Sequence, residues 1–486
     1  MGSTFSGLNT ALTSLYAQRR GLEVTGQNIA NANTEGYTRQ RVVLAAQSTN
    51  TNPGIYSTTN DLAGGVNVAS VDRLRNAALD QRSYSEHASS AYHNPRAGAY
   101  NLIEDVFAEP SDTALQGRLA DMWDGWNAAA ANPSDLSAKS ALLEQATTVA
   151  STLNDAAASL NNQYKSARTG LDTYVDEVNK AADSVAKLNN QISVAQAAGL
   201  GANELQDQRA TQILKLSELV GASATDLPNG VINVFVGSAP LVTGFSTRAI
   251  EVEKGSATRL EDLASSEVNL RFADTKTAVT AGGTMGATME LLAKDGVLDT
   301  MTKKLDVVAG TLAKNVNAIY EKGYAIDGTT GDPFFVRNDT GLEDDVTAAQ
   351  IKVAVTNPTQ VAISSGDPTG APTADFPTGA PKVLDGNLAD TISELAESRT
   401  GADTEYKSMI GELGVSSQAA ARRRDVQNAV TDQVDSARDA ESGVNLDEEM
   451  THLLTYQRGY EAASRVLTTI DSMLDQLINR TGLVGR

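Results

Sequence analysis

The sequence predicts a mainly α protein with β insertions (an α+β chain), in which a long coiled-coil helical bundle is built from both chain ends. Three observations lead to this prediction. Apolar residues recur at seven-residue intervals near both ends, a central stretch has related spacing, and two internal stretches alternate apolar and polar residues between turns. Hydrophobic residues make up 41% of the 486 residues but aromatic residues only 5%, so we expect a core of Ala, Leu and Val.

Both chain ends carry the seven-residue repeat of a coiled-coil seam. Near the N-terminus the repeat consists of Leu8, Leu15, Leu22 and Ile29, with Ala11, Gln18 and Thr25 between them. Near the C-terminus two series interleave, Leu446, Leu453, Tyr460, Leu467 and Leu474 with Tyr456, Ala463, Ile470 and Leu477. Burying such a seam in an isolated helix pair offsets too little of the lost conformational entropy, so we expect the ends to pack against other chains.

A long helix is predicted over residues 134–198, which contain no Pro and a single internal Gly, Gly170. The 3–4 apolar spacing shifts near Gly170, which is a stutter that relaxes supercoiling. At 1.5 Å per residue, about 65 helical residues would reach about 95 Å. Residues 285–322 offer this helix a packing partner as one continuous helical pattern. Shorter helical patterns cover 75–106, 111–131, 204–220 and 403–440.

Two stretches depart from the helical pattern. Residues 221–281 contain alternating runs at 231–236 and 267–272 and predict a small β domain, whereas 325–381 are rich in Pro with a short strand candidate at 351–355. We therefore predict four parts: a terminal coiled-coil domain (1–50 with 441–486), a long-helix bundle (51–220 with 285–325 and 386–440), a central small β domain (221–284) and a second β-rich or irregular insertion (326–385).

Composition and charge argue against several classes of function. The chain has no Cys, which rules out disulfides, thiolate zinc sites and a cysteine nucleophile. Its formal net charge of −21 argues against nucleic-acid partners, because phosphate binding needs a basic face. No apolar run is long enough for membrane insertion, and positions 1–18 lack the features of a cleaved signal peptide. From composition alone, the cytoplasm is the default location unless another export route exists.

Candidate catalytic and metal-binding residues form no constellation. His87 and His93 are six positions apart beside Glu86, whereas a zinc-protease helix needs two His four positions apart, so we interpret both as surface histidines. His452 is a flank position of the C-terminal repeat. Ser184 begins a Ser-x-x-Lys motif, but it lies inside the predicted long helix, where no cleft is expected. We therefore expect no enzyme activity, no cofactor and no metal site.

Two runs of like charge are interpreted as solvated helix faces. They are the arginines at 422–424 and the acidic residues at 447–449. The acidic run lies in the first turn of the last predicted helix, where negative charge complements the helix dipole and Asn445 can cap the helix.

Two signatures near the chain ends resemble those of a known family. The first reads Gln-Asn-Ile-Ala-Asn-Ala-Asn-Thr-Glu-Gly-Tyr-Thr-Arg at 27–39, and the second reads Gly-Val-Asn-Leu-Asp-Glu-Glu-Met at 443–450. They resemble the segment after the first helix, and the C-terminal helix, of the flagellar rod, hook and hook-associated axial proteins. The Asn residues can bond local backbone as the helix ends, and the Gly can take a positive φ. The positions of the first signature assigned to assembly are Asn28, Asn31, Asn33, Gly36 and Tyr37.

Two internal motifs are similar to hook–filament junction members of that family rather than to its rod or hook members. One is Leu-Gln-Asp-Gln-Arg at 205–209; the other is Asn-Val-Asn-Ala-Ile at 315–319 followed by Gly-Asp-Pro-Phe-Phe at 331–335. The resemblance covers most of the chain except roughly 221–280 and 336–385. The tail at 480–486 has no role that the resemblance assigns.

The resemblance implies a structural subunit at the hook–filament junction, exported through the flagellar type III apparatus without a cleaved signal peptide and therefore extracellular. The implied partners are further copies of the chain in a ring, the hook protein on one side, the next hook-associated protein and the flagellin filament on the other, and a type III export chaperone. Neither nucleic acid nor membrane insertion is implied. The terminal helices would form an inner tube, with the long helices around it and the β insertions outside.

Three alternatives stay open. One is a hook or distal rod axial protein, which the long central helix and the motif at 205–209 disfavour. The others are a secreted coiled-coil adhesin and a wall-active enzyme carried on axial-type ends. An adhesin predicts protected backbone amides at the ends of the monomer, whereas an axial protein predicts rapid exchange over about 1–35 and 445–486.

Overall fold

The computed structural model describes residues 4–47, 64–343, 345–370 and 383–480. The fold is mainly α with small β-sheets, which confirms the predicted fold class. In the described ranges the α-helices are α1 (Thr4–Ala30), α2 (Ala77–Phe107), α3 (Leu115–Ala131), α4 (Leu136–Ala197), α5 (Asn203–Val220), α6 (Gly283–Leu292), α7 (Val297–Tyr320), α8 (Asn387–Ser393), α9 (Ala402–Ser442) and α10 (Leu446–Arg480).

Most of the long helices lie within a few residues of the predicted bounds, and the predicted cap of α10 is confirmed. The side-chain oxygen of Asn445 accepts hydrogen bonds from the backbone N–H of Asp447 at 3.0 Å and of Glu448 at 3.3 Å. These bonds satisfy two donors that the first turn of a helix leaves free. Asp135 caps α4 in the same way, with its carboxylate 2.8 Å from the backbone nitrogen of Ser137.

The prediction of one continuous helix over 285–322 is wrong, because the chain breaks between α6 and α7. Asp295 has a φ of 62°, in the left-handed region. Its N–H donates at 2.8 Å to the carboxylate of Asp299, which lies in the first turn of α7. A Cβ at Gly296 would lie 2.4 Å from the carbonyl oxygen of Glu290, so the turn requires glycine there.

The described strands form four antiparallel sheets. They are β1 (Gln40–Ala46), β2 (Val66–Arg73), β3 (Ala222–Asp226), β4 (Ile232–Val236), β5 (Ala239–Thr243), β6 (Ser246–Thr247), β7 (Ile250–Val252), β8 (Leu270–Phe272), β9 (Phe335–Arg337) and β10 (Ile351–Val353). The sheet orders are β1-β2, β3-β4-β5-β6, β7-β8 and β10-β9. The alternating runs at 231–236 and 267–272 and the strand candidate at 351–355 thus contain strands. The β1-β2 pair, whose register pairs Gln40 with Arg73, was not predicted.

The chain divides into two compact units. Unit 1 contains residues 1–89, 178–249 and 428–486, and unit 2 contains 90–177 and 250–427. The predicted four-part division stays a prediction.

The core of unit 2 contains an aromatic cluster. The ring of Phe334 lies 5.0 Å from that of Trp126 and 5.1 Å from that of Tyr320, measured between centroids. Asn317, from the motif at 315–319, fixes the neighbouring strand: its side-chain oxygen accepts from the backbone N–H of Phe334 and of Phe335, each at 2.9 Å. This motif therefore serves packing in the core.

Candidate assembly site at the paired chain ends

Helices α1 and α10 pack against each other in unit 1 as an antiparallel pair. A Cβ at Gly21 would lie 2.6 Å from the Tyr456 ring, and one at Gly459 would lie 2.7 Å from the Gln18 side chain. As the residue numbers rise along α1 they fall along α10, so the two helices run in opposite directions. Glycine at these positions allows the close approach.

The interface side of α1 uses smaller residues than the predicted Leu series. Ala17 and Val24 are buried, as are Ala11 and Thr25 of the predicted repeat. The four main positions of that repeat, Leu8, Leu15, Leu22 and Ile29, are half-buried.

The side chains of the C-terminal repeat are less buried than those of the N-terminal repeat. Ala463 is buried, and Leu446 and Tyr460 are exposed. The half-buried members are Leu453, Tyr456, Leu467, Ile470 and Leu474. The side chain of Leu477, and residues 481–486 of the tail, lie outside the described residues.

Large apolar side chains remain exposed on both helices of the pair. Leu454 is 49% exposed and Val466 is 50% exposed. We call the exposed set the terminal apolar residues: Leu12, Tyr16, Leu446, Met450, Leu454, Tyr460, Val466 and Met473. Soluble monomers rarely leave so much apolar surface free, so this set is typical of a surface that packs against another chain.

Asn28 joins the two signatures. Its amide nitrogen donates to the backbone oxygen of Gln40 at 2.9 Å and to the carboxylate of Glu449 at 3.1 Å. Its amide oxygen accepts from the backbone N–H of Gln40 at 3.0 Å and from the hydroxyl of Tyr37 at 2.9 Å. One buried side chain thus fixes the end of α1, the start of β1 and the first turn of α10.

Arg39 adds two charged contacts to the same junction. Its guanidinium donates to the carboxylate of Glu449 at 2.7 Å and to that of Glu448 at 2.6 Å. Burial acts to lower the pKa of Arg39, but the bonds to Glu448 and Glu449 outweigh it and raise the pKa above its usual value. The interpretation of 447–449 as a solvated face is therefore wrong for Glu449, which is only 2% exposed.

The remaining residues of the first signature shape the turn after α1. Asn31 donates to the backbone oxygen of Gln27 at 3.0 Å, and Asn33 is exposed. Gly36 has a φ of 77°, and a Cβ there would lie 2.6 Å from the hydroxyl oxygen of Thr211, which confirms the predicted positive φ. Burial, followed by the nearby carboxylates, raises the pKa of Tyr37 to about 12, so its hydroxyl remains a donor at neutral pH.

Asp207, within the motif at 205–209, fixes the same turn from α5. Its carboxylate accepts from the backbone N–H of Thr38 at 3.2 Å and from the guanidinium of Arg73 at 2.8 Å. Sequence reasoning missed the roles of Asp207, Arg39 and Glu449. All three are charged residues inside the quoted motifs. Their position in those motifs was the only feature of the sequence that could have singled them out.

His87 is also placed differently from the prediction. Its ring nitrogens lie 3.1 Å from the Glu218 carboxylate and 2.9 Å from the Asp435 carboxylate, so it links α5 and α9. The bond to Glu218, with the charge of Asp435, raises the pKa of His87 despite partial burial. The interpretation as a surface histidine is wrong, since the ring is largely covered and ion-paired when protonated.

Two further features of the described ranges bear on other functions. Within them, no helix combines the length and apolar character needed to cross a bilayer. In the same ranges, no group of three or more His, Asp or Glu side chains converges as a metal site.

Comparisons with known proteins match three parts of the chain. Residues 8–38 match the family described as flagella basal body rod protein, and residues 438–480 match the flagellar basal body rod FlgEFG protein C-terminal family. Residues 100–335 match the flagellar hook-associated protein FlgK helical domain.

Relatives that match nearly the whole chain share one description, flagellar hook-associated protein 1. The chain is 31% identical to flagellar hook-associated protein 1 of Bacillus subtilis (strain 168), with 100% of both chains covered. It is 24% identical to flagellar hook-associated protein 1 of Salmonella typhimurium, over 97% of this chain and 99% of the relative. Among solved structures, the flagellar hook junction protein FlgK from Burkholderia pseudomallei shares the fold, with a TM-score of 0.61 and 16% identity over 75% of this chain and 100% of that one.

The fold and these matches define a structural protein of the bacterial flagellum, and not an enzyme. It assembles with other flagellar components. The chain belongs to the flagellar hook-associated protein 1 family, which confirms the resemblance drawn from its motifs.

Proposed function

We propose that the chain forms the junction between hook and filament and that its terminal helices pack against those of neighbouring copies. The terminal apolar residues are the observation that supports this proposal. The α1–α10 pair buries mainly small residues and leaves Leu454, Val466 and their neighbours exposed. A second copy of the chain presents the same apolar surface, so self-association covers the surface on both copies.

The proposed location and partners follow from the junction. The protein would lie outside the cell, exported without a cleaved signal peptide and with the help of a type III chaperone. It would contact the hook protein on one side, and the next hook-associated protein and flagellin filament on the other. The positions proposed for assembly are those of the two terminal repeats and of the first signature.

A matched pair of substitutions tests the packing surface. Val466→Asp places a charge among the terminal apolar residues, whereas Val426→Asp places the same charge on α9, where Val426 is 66% exposed. Both proteins should melt within a few degrees of the wild type, because both side chains are exposed. We expect only Val466→Asp to abolish incorporation into flagella, measured by motility and by immunoblots of purified hook–basal bodies. Full incorporation of Val466→Asp would contradict the proposed surface.

Deleting the gene tests the position along the flagellum. Hooks without filaments, with flagellin shed into the medium, are the expected result by electron microscopy and immunoblotting. Cells without hooks would move the protein inward to the rod or hook. Normal filaments would contradict the proposed place at the junction.

A further inference from the structure

Unit 1 contains a cavity of about 190 Å³ next to the turn that Asp207 fixes. Three arginines line it, Arg73 from β2, Arg75 from the segment before α2, and Arg209 from α5. The acidic residues in its wall are Asp80 and Asp226. The wall therefore has one more cationic side chain than carboxylates.

Two of the three arginines have carboxylate partners. Arg73 donates to Asp207 at 2.8 Å, and Arg75 donates to Asp80 at 2.7 Å. The Asp80 carboxylate also lies 3.3 Å from the guanidinium of Arg438 on α9. Asp80 is thus shared between two cations.

Arg209 differs from the other two. It is only 4% exposed, and its Nη1 donates to two neutral acceptors, the side-chain oxygen of Asn189 at 2.8 Å and the backbone oxygen of Gly230 at 2.5 Å. Its Nε is buried and has no hydrogen-bond partner among the residues that the structure describes. A buried cation without a counter-charge is costly, and an unused donor adds to that cost.

The electrostatic surroundings of Arg209 favour the binding of an anion. Burial, followed by the positive charge of Arg73, lowers the pKa of Arg209 to about 10, and the carboxylate of Asp226 only partly opposes this. Asp226 is exposed at the rim of the cavity. An anion inside the cavity would supply the counter-charge that the chain does not.

We propose that this cavity binds a small tetrahedral oxyanion of the phosphate or sulfate class, held by the guanidinium groups of Arg73, Arg75 and Arg209 that line it. Guanidinium groups from three elements can approach separate oxygens of such an ion, and charge-assisted bonds of this kind are strong. Bound there, the oxyanion links β2, the start of α2 and α5. Because it binds the folded state, it stabilises unit 1 by mass action.

Calorimetric titration of the full chain with sodium phosphate, sodium sulfate and sodium acetate tests the proposal, with ionic strength held constant by sodium chloride because salt screens charge. Saturable binding of phosphate or sulfate, with a matching rise in melting temperature, is the expected result. Saturation by acetate alone would overturn the tetrahedral class, and saturation by none of the three would overturn the site.

Three variants locate the binding. Arg209→Gln should weaken phosphate binding about tenfold or more, because a charged donor is lost. Asp226→Asn removes a repelling charge at an exposed position and should tighten binding about threefold, which keeps the test decisive even where Arg209→Gln folds poorly. Arg271→Gln, an arginine of unit 2 with carboxylate partners of its own, is the control and should bind as the wild type does. Unchanged affinity in Asp226→Asn, or equal loss in Arg271→Gln, would overturn the assignment.

Discussion

Two regions of the molecule share one apolar pattern but bury it differently. In α4, seam residues such as Leu142, Leu153 and Leu160 are fully buried within the chain. In α10, Leu446 and Tyr460 occupy the same kind of position and are exposed. A repeat of this kind therefore predicts a helix with an apolar face, but the partner of that face depends on the rest of the fold. The first seam is buried inside the chain, whereas the second is partly exposed and is the surface that we propose packs against neighbouring copies.

The largest expected difference comes from truncating one leucine in each region. Leu160→Ala should lower the free energy of unfolding by about 2–5 kcal/mol, because it leaves a cavity in a packed core. Leu454→Ala should change it by no more than about 0.5 kcal/mol, because the side chain is half exposed. Urea unfolding followed by circular dichroism measures both values. Equal losses would mean that the terminal pair is packed as tightly as α4.

Breaking the charged junction should have the next largest effect. Arg39→Gln leaves the buried carboxylate of Glu449 without its cation and should cost about 1–3 kcal/mol. The loss should appear as a lower midpoint of urea unfolding. Arg19→Gln is the control, because the Arg19–Glu23 ion pair is solvent-exposed and worth at most about 1 kcal/mol. Equal unfolding midpoints in the two variants would show that other contacts hold α10.

Substitutions at two glycines of α1 should change the stability in opposite directions. Gly21→Ala should destabilise the protein by about 1–3 kcal/mol, since its Cβ would overlap the Tyr456 ring. Gly26→Ala has open space around it and should stabilise the helix by about 0.5–1 kcal/mol. Thermal melting of the two variants gives the comparison. A gain in Gly21→Ala would rule out the close packing of the two helices.

The smallest effect concerns pH and His87. The folded pKa of His87 is raised above its value of about 6.5 in the unfolded chain, so its contribution to stability is complete below that value. It is lost as the pH rises through the folded pKa. His87→Gln should therefore flatten the fall in melting temperature between pH 6 and pH 9, whereas His452→Gln, at an exposed position, should not. Identical pH profiles for His87→Gln and the wild type would contradict this role.

The apolar periodicity predicted most of the long helices, because a helix that buries one face repeats its apolar residues at helical spacing. The same signal hid the break between α6 and α7, since Leu291 and Leu298 stay seven positions apart across it. Lys-Asp-Gly at 294–296 was the only local indication of a turn. The β1-β2 pair was missed because residues 47–65 separate its strands, so no short hairpin turn marks it.

The assembly site was predictable in its helices and motifs but not in its contacts. The local backbone bond of Asn31 and the positive φ of Gly36 were predicted and are present. The prediction of a local backbone bond is wrong for Asn28, because its amide bonds the more distant Gln40 and Glu449. The burial of Glu449 was not predicted, because an acidic run in a first helical turn has the same sequence whether it faces water or an arginine. Only the fold brings Arg39 next to it.

The bond between Asn28 and Glu449 has a consequence for the order of folding. It joins residues 421 positions apart, and closing a free loop of that length costs about 5 kcal/mol in chain entropy. Local helices reduce this cost by forming first, so α1 and α10 pair late in folding. If the subunit is delivered one end at a time and assembles as proposed, the paired surface of α1 and α10 exists only after α10 has arrived, and the arrival of that helix then sets when the subunit can join its neighbours.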